Sequence, residues 1–344
     1  APKLSWSFAF SETSFSPLKG LPLIEQSNGH FVSKDYATSV ILEEGIIFDD
    51  TGKVIDIAGS SFFIKDSRIK PSPAEILISA DGALSSISQV LNKPPLKLLD
   101  RMQQPVNFGN AKVSGKGRVE VLLKSNLTSD EITYEVKGTA KEFSSHVINP
   151  DFIISNGTLD FFADKKGLEI KGNAKVKDLP IQAKLLGSLA KDEPKFLEID
   201  FSLSEKVLEM LPDGFPEIKI SGSAPAKLYL KFLESKKVEF DLVSDLKGVE
   251  LSYLPIGWVK EMNGEAELKV SGTIGNEFVL NNVYLISSSL ALVGSAVQQK
   301  DENFMFNFEK LALEDVFDIQ LLIEKDGVLE VTGGELDMQE FIKL

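Results

Sequence analysis

Alternation of apolar and polar residues at period two runs through most of this chain and restricts its fold more than any other feature. From Glu131 to Lys141 one face reads Ile132, Tyr134, Val136, Gly138 and Ala140. Glu131, Thr133, Glu135, Lys137, Thr139 and Lys141 make the other. Leu168, Ile170, Gly172, Ala174 and Val176 alternate likewise with Glu169, Lys171, Asn173, Lys175 and Lys177. The pattern returns at Leu197/Ile199/Phe201/Leu203, Ala226/Leu228/Leu230/Phe232, Val238/Phe240/Leu242 and Phe304/Phe306/Phe308. Successive side chains of a strand point to opposite sides, so each segment predicts a strand with one apolar and one wet face. Buried parallel strands read as unbroken apolar runs, so the predicted sheet is antiparallel.

The connections agree with a meander of hairpins. Asp49–Gly52, Asp164–Gly167 and Glu324–Gly327 are short, polar, Gly-terminated and flanked by alternating segments. Helical spacing is confined to Ala83–Leu91, a turn or two over Leu96–Met102, and Glu205–Leu211 with Ser204 as its cap. Pro94-Pro95 and Pro212-Asp213-Gly214 end these stretches. A weak echo of Ser/Asn-Gly before strands (Ser114–Gly117, Ser155–Gly157, Ser221-Gly222, Met262–Gly264) suggests a repeated hairpin unit. The expected division is an N-terminal β segment, 1–110, with short helices near 83–102, and an antiparallel segment, 111–344. One continuous domain is the alternative.

Composition narrows function mostly by exclusion. A net charge of −14, from 37 basic and 51 acidic residues, leaves no cationic cluster to neutralise phosphates, so nucleic acid is not an expected partner. Cysteine is absent, which removes thiolate nucleophiles and thiolate metal sites; this is compatible with the periplasm, and many cytosolic proteins lack cysteine as well. The softest stretch, Val283–Val297, is interrupted by serines and Gly294, so no membrane-spanning helix is expected in it. The chain begins and ends in mid-pattern, which reads as a segment of something longer.

Catalytic groups are sparse. His30 and His146 stand far apart without spaced partners, and both read as surface or loop residues. The acidic pairs Glu43-Glu44, Asp49-Asp50, Asp192-Glu193 and Asp301-Glu302 read as solvated turns or strand ends. No phosphate-loop, nucleophile-elbow or zinc-protease motif occurs. The expectation is a non-enzymatic protein with no catalytic residues, metal ligands or cofactor. What remains is the apolar face, either the core of a closed sandwich or a groove open to an apolar ligand. A polysaccharide-active enzyme would need exposed Trp or Tyr, and the aromatic set is mostly Phe, 23 residues against 5 Tyr and 2 Trp.

The order of segments adds a likeness. Phe10–Gly29 leads into alternating strands, then Ala80-Asp81-Gly82 and the leucine-rich helical stretch. Asp245–Ala266 carries Leu-Pro-x-Gly-Trp at Leu254–Trp258, and Asp326–Ile342 runs through Gly333-Gly334-Glu335-Leu336-Asp337. This series resembles the central region of the YhdP-type branch of the AsmA-like superfamily, envelope proteins of Gram-negative bacteria. Glu261 stands where that family often has Pro after the position of Lys260. The resemblance implies a long twisted antiparallel sheet curled into a repeating β-groove (a β-taco) with a few short helices. It also implies a periplasmic segment of an inner-membrane-anchored protein, joined to inner and outer membranes through parts outside this segment. Phospholipid acyl chains are then the partners, moved between the membranes along the groove. Tyr134, Phe161, Ile170, Phe201, Leu230, Phe240, Leu268 and Phe306 are the expected lining. Gly138/Ala140, Gly172/Ala174 and Gly294/Ala296 fit small positions where chains slide, and bulges or tight sheet curvature explain them equally well. A structural scaffold of the envelope with a closed sandwich core is the alternative.

Overall fold

The computed structural model describes residues 5–16, 20–94, 96–101, 106–124, 131–146, 152–188, 193–211, 218–233, 237–298, 304–324 and 328–343. The fold is mainly β, with a long antiparallel sheet of twenty strands and a small sheet of three. Two compact units make up the chain. One comprises residues 1–178 and 185–191, the other 179–184 and 192–344.

In the first unit the strands are β1 (Ser5–Phe15), β2 (Ile24–Lys34), β3 (Ala37–Phe48), β4 (Val54–Asp56), β5 (Ser61–Ile64) and β6 (Ser72–Ala83). Helices α1 (Leu84–Leu91) and α2 (Leu98–Arg101) follow, then β7 (Asn110–Leu123), β8 (Thr133–Ser145), β9 (Ile154–Asp164) and β10 (Gly167–Val176). Neighbours in sequence pair antiparallel: β1 with β2, β2 with β3, β3 with β4 and β5, and these with β6, then β6 through β10 in order. Asp164–Gly167 forms the predicted hairpin turn, and the Asp164 carboxylate accepts from the Lys166 and Gly167 amides at 2.7 and 3.1 Å. β7 opens at Asn110 and pairs with β6 over Ala83–Ser72.

Strand β11 (Leu179–Gly187) contributes residues to both units. The second unit continues with β12 (Lys195–Leu203), α3 (Glu205–Leu208), β13 (Lys219–Gly222), β14 (Ala224–Phe232), β15 (Val238–Ser244), β16 (Val249–Tyr253) and β17 (Trp258–Lys260). It ends with β18 (Ala266–Ile274), β19 (Phe278–Ser287), β20 (Leu290–Gln298), β21 (Phe304–Leu313), β22 (Phe317–Ile323), β23 (Leu329–Leu336) and α4 (Met338–Phe341). Its long ladder runs β12–β14–β15–β18–β19–β20–β21–β22–β23. The chain leaves that ladder twice to build the small sheet β13–β16–β17. β22 and β23 pair as expected (Ile323 opposite Leu329), while the centre of the predicted turn, 325–327, lies outside the described residues, as do 212–217 after α3.

Bulges bend the strands differently in the two units. In the first they sit near the strand ends by α1, with Glu12, Gln26, Glu142 and Asn156 at positive φ. There the buried Ser27 hydroxyl donates to the Thr13 carbonyl at 2.7 Å. In the second, register shifts fall in mid-strand, between Ser271 and Gly272 and between Val293 and Gly294. A bulge adds twist and curvature, which the long sheet needs to wrap its own inserts.

Candidate functional site

Directly opposed residues of an antiparallel pair lie on one face, so register alone assembles the inner surface. In the first unit the chain of partners runs Gly115–Gly138–Phe161–Ile170, with Val119 opposite Tyr134 and Ala140 opposite Leu159. Tyr134, Phe161 and Ile170 therefore share a face. In the second unit Leu197, Leu230, Phe240 and Gly272 are successive partners, and so are Ala296, Phe306 and Ile323. Phe201 faces Ala226, and Leu268 stands between Ser244 and Leu285. All eight expected lining residues point to the apolar side of their strands.

Packing divides those eight. Leu230 and Phe306 join Phe240, Leu280, Ala296 and Phe304 in one cluster. Phe201 and Leu268 instead pack against the core around the small sheet, with Leu246, Val249, Leu251 and Trp258. Phe161 packs beside Ala111, Val113, Ala140 and Phe143, a cluster that also takes Leu84 and Ile87 of α1. The inner face is mixed: Phe240, Leu280, Ala296 and Phe304 are buried, while Leu228, Leu230, Val270, Val283, Phe306 and Ile319 are neither buried nor fully exposed.

Phenylalanines pave this surface. Rings of Phe240, Phe278, Phe304, Phe306 and Phe308 follow one another at centroid separations of 5.8, 6.1, 5.7 and 5.8 Å. They lie across strands whose own residue at that point is small. A Cβ on Gly272 would stand 2.8 Å from the Phe240 ring and 2.1 Å from the Val279 carbonyl oxygen. A Cβ on Gly138 would stand 2.7 Å from Phe161 and 2.3 Å from the Ser114 carbonyl oxygen. The space above Gly138 is thus filled by Phe161, and that beside Gly294 by Phe308. Gly138 and Gly294 seat rings of the protein itself, Gly172 meets only the backbone of its neighbouring strand, and a bulge falls at Val293/Gly294.

Each unit covers one end of its inner face. In the first unit α1 does so, with Ile87 touching both the Ile24/Leu42/Ile55/Ile57 cluster and the Ala111/Val113/Ala140/Phe143 cluster. Ser86 of α1, fully buried, donates to Asp49 Oδ2 at 2.6 Å. The other Asp49 oxygen accepts from Thr51 N, Thr51 Oγ1 and Lys53 N at 2.7–2.9 Å. Burial works to raise this carboxyl, but hydrogen bonds from Ser86, Thr51 and Lys53 together hold it well below the usual carboxylate range. The reading of Asp49-Asp50 as a solvated pair holds for Asp50, which is exposed and bonded to Lys93, and fails for Asp49.

In the second unit the small sheet is the cover. Leu254–Ile256 forms a 3₁₀ turn, Gly257 takes φ 60°, and Trp258 is thereby delivered into the core at 4% exposure. Its Nε1 donates to Ser289 Oγ at 3.2 Å, in the β19–β20 turn. Lys260, buried, donates to the carbonyls of Leu246 and Val249 at 2.6 and 2.7 Å. Burial pushes its ammonium below the usual lysine range, with Asp245 pulling weakly the other way.

The outer face is largely ionic. Lys227 bridges Glu198 and Asp200, both at 3.0 Å, and Lys231 meets Glu239 at 2.9 Å. Val32, Ile41, Phe63 and Leu77 break that rule with a diagonal apolar stripe across β2, β3, β5 and β6. His30 is exposed on strand β2 with Glu43 3.1 Å away, so it has a partner the sequence spacing did not suggest. His146 is exposed, and among the described residues no group of three His, Asp or Glu is arranged to hold a metal ion. Burial, then the charge of Asp164, raises the Tyr134 hydroxyl above its ordinary value, so it stays neutral at physiological pH. A shallow cavity of about 320 Å³ lies between Glu309, Lys310, Asp318 and Glu335, where the Lys310–Asp318 pair is solvated. Among the described residues no helix is long and apolar enough to cross a membrane.

From the sequence the short helices read either as lids on a sheet or as packing at one edge of an ordinary core, while Phe278 and the small sheet as a cover were missed. Phe278 keeps phase with Leu280 but the bulge before Val283 hides its period. Compared with known proteins, the chain matches no protein-family model, no curated protein and no solved structure. Fold and site together define a class: an antiparallel β protein whose strands present one partly open apolar face.

Proposed function

We propose that this chain is a non-enzymatic lipid-transfer segment that shelters phospholipid acyl chains on its inner face as they pass between the inner and outer membranes across the periplasm. One observation carries the reading. Over the part of the strands outside the small sheet, the half-buried Leu228, Leu230, Val270, Val283 and Phe306, set around the buried Phe240, present no hydrogen-bonding side chain. An extended peptide laid there would leave its backbone groups without partners, whereas an alkyl chain has none to satisfy. Each CH₂ removed from water contributes about 0.8 kcal/mol, so roughly 30 of them represent on the order of 20 kcal/mol, and a wall of Phe, Leu, Ile and Val lowers that barrier without breaking a bond.

The test is lipid extraction and native mass spectrometry of the purified protein, with photocrosslinking from Phe240. Co-purified phospholipid and an adduct at Phe240 are expected. A lipid-free protein with no adduct would sink the reading. The scaffold alternative draws on a different observation, the fully buried Leu246 and Val249 of the second unit's cover. It predicts that lipid-free outcome together with an unchanged fold.

A further inference from the structure

The second unit's inner face has two halves of unlike character. One half carries Leu230, Phe240, Phe278, Phe304 and Phe306, a set that touches no residue of the small sheet in its cluster. The other half lies under that sheet. Leu203, Ala224 and Ala226 on β12 and β14, and Leu290, Leu311, Leu313 and Phe317 on β20 to β22, close around Leu246, Val249, Leu251 and Trp258. Four strands separate β14 from β21 in the ladder, roughly 24 Å on a flat sheet, so the long sheet is wrapped around its own insert.

The insert is fastened at both sides. Toward β14 and β15, the Ser244 hydroxyl donates to the Pro225 carbonyl at 2.8 Å and accepts from Leu246 N at 3.1 Å. Toward β19 and β20, Trp258 reaches Ser289. Within, the Lys260 ammonium donates to the carbonyls of Leu246 and Val249 and so braces the loop before β16 against β17. A loosely seated lid would not place its least exposed residues, Leu246 and Val249 at 0%, against the face it covers.

We infer that the small sheet is a fixed partition: it confines acyl chains in this unit to the phenylalanine-paved half of the inner face and excludes them from the half that holds Phe201 and Leu268. The inference rests on the lipid-transfer reading and goes further by dividing the expected lining into residues that meet lipid and residues that meet protein.

A photoreactive phenylalanine analogue placed at Leu230 or Phe306, or at Phe201 or Leu268, in the full chain tests it. Each variant is incubated with phosphatidylethanolamine/phosphatidylglycerol vesicles carrying a labelled acyl chain, irradiated and analysed on a gel. Labelling at Leu230 and Phe306, with background at Phe201 and Leu268, is the expected result. Equal labelling at Leu268 overturns the partition and leaves lipid transfer standing. Absence of label at all four positions removes lipid transfer and the partition with it. Hydrogen exchange of the unsubstituted protein supplies a measurement free of folding artefacts. Amides of β16 and β17 should exchange equally slowly with and without vesicles, and acceleration by vesicles would show a moving lid instead.

Discussion

In the first unit one end of the inner face is covered by a single helix tied down through a buried carboxylate, Asp49. In the second it is covered by a three-stranded sheet fastened to the ladder through Ser244 and Trp258 and braced within by a buried ammonium, Lys260. The helix brings its own satisfied backbone and needs one side-chain tether. The sheet must leave the main ladder and return, so it needs Ser244, Trp258 and Lys260 to close its loops. The difference shows that the covering requirement is common to both units while its chemistry is not. Any apolar insert with paired backbone groups serves.

The comparison breaks most readily at Trp258. Trp258→Ala removes a buried indole and should cost the second unit about 3–5 kcal/mol, with peptides of the first unit unchanged in hydrogen exchange. Gly272→Ala drives a Cβ into the Val279 carbonyl and the Phe240 ring and should cost roughly 2–3 kcal/mol. Gly138→Ala in the first unit should cost a similar amount, and chemical denaturation of both variants checks whether the paving is equally tight. Asp49→Ala strands Ser86 and the turn amides and should cost about 2 kcal/mol, seen as faster exchange of α1 alone.

Acidity separates the tethers by sign and window. The Asp49 carboxyl is depressed in the folded state, so its stabilisation is present above about pH 3.9 and fades as the pH falls toward the folded value. Lys260 is also depressed, so the unfolded chain binds more protons on the alkaline side. The second unit should therefore gain stability as the pH rises toward about 10.4. Exchange measured at acid and alkaline pH should loosen α1 first at one end and tighten β16–β17 at the other. The smallest effect belongs to Asp49→Asn, which should flatten the acid limb while leaving the alkaline one untouched.

The strand ladder could be read from alternation because backbone period and side-chain chemistry coincide there. Tyr134, Phe161 and Ile170 fall on one face for no further reason than parity. The small sheet and the tethers of both covers were hidden because they depend on distant pairings. Asp49 looks like any turn aspartate until Ser86, far along the chain, is placed beside it. Leu254–Trp258 stood out in the sequence, yet nothing local says that Gly257 turns Trp258 inward between β14 and β20. Glu205–Leu211 shrank to the single turn α3, and Ser204 makes no side-chain cap bond. At the other end Asp337, the last residue of the Gly-Gly-Glu-Leu-Asp run, does cap α4 by accepting from Gln339 N at 2.8 Å and Glu340 N at 3.2 Å.

The rings seated over glycines have a consequence for friction. A surface tiled by flat rings, with backbone dips already filled, has shallow relief on the scale of a methylene step. An alkyl chain resting on it finds no socket to register with, and neighbouring positions are nearly equal in energy. If acyl chains do occupy it, as proposed, such a wall would carry no gauge for chain length or saturation and would offer little resistance to lateral drift.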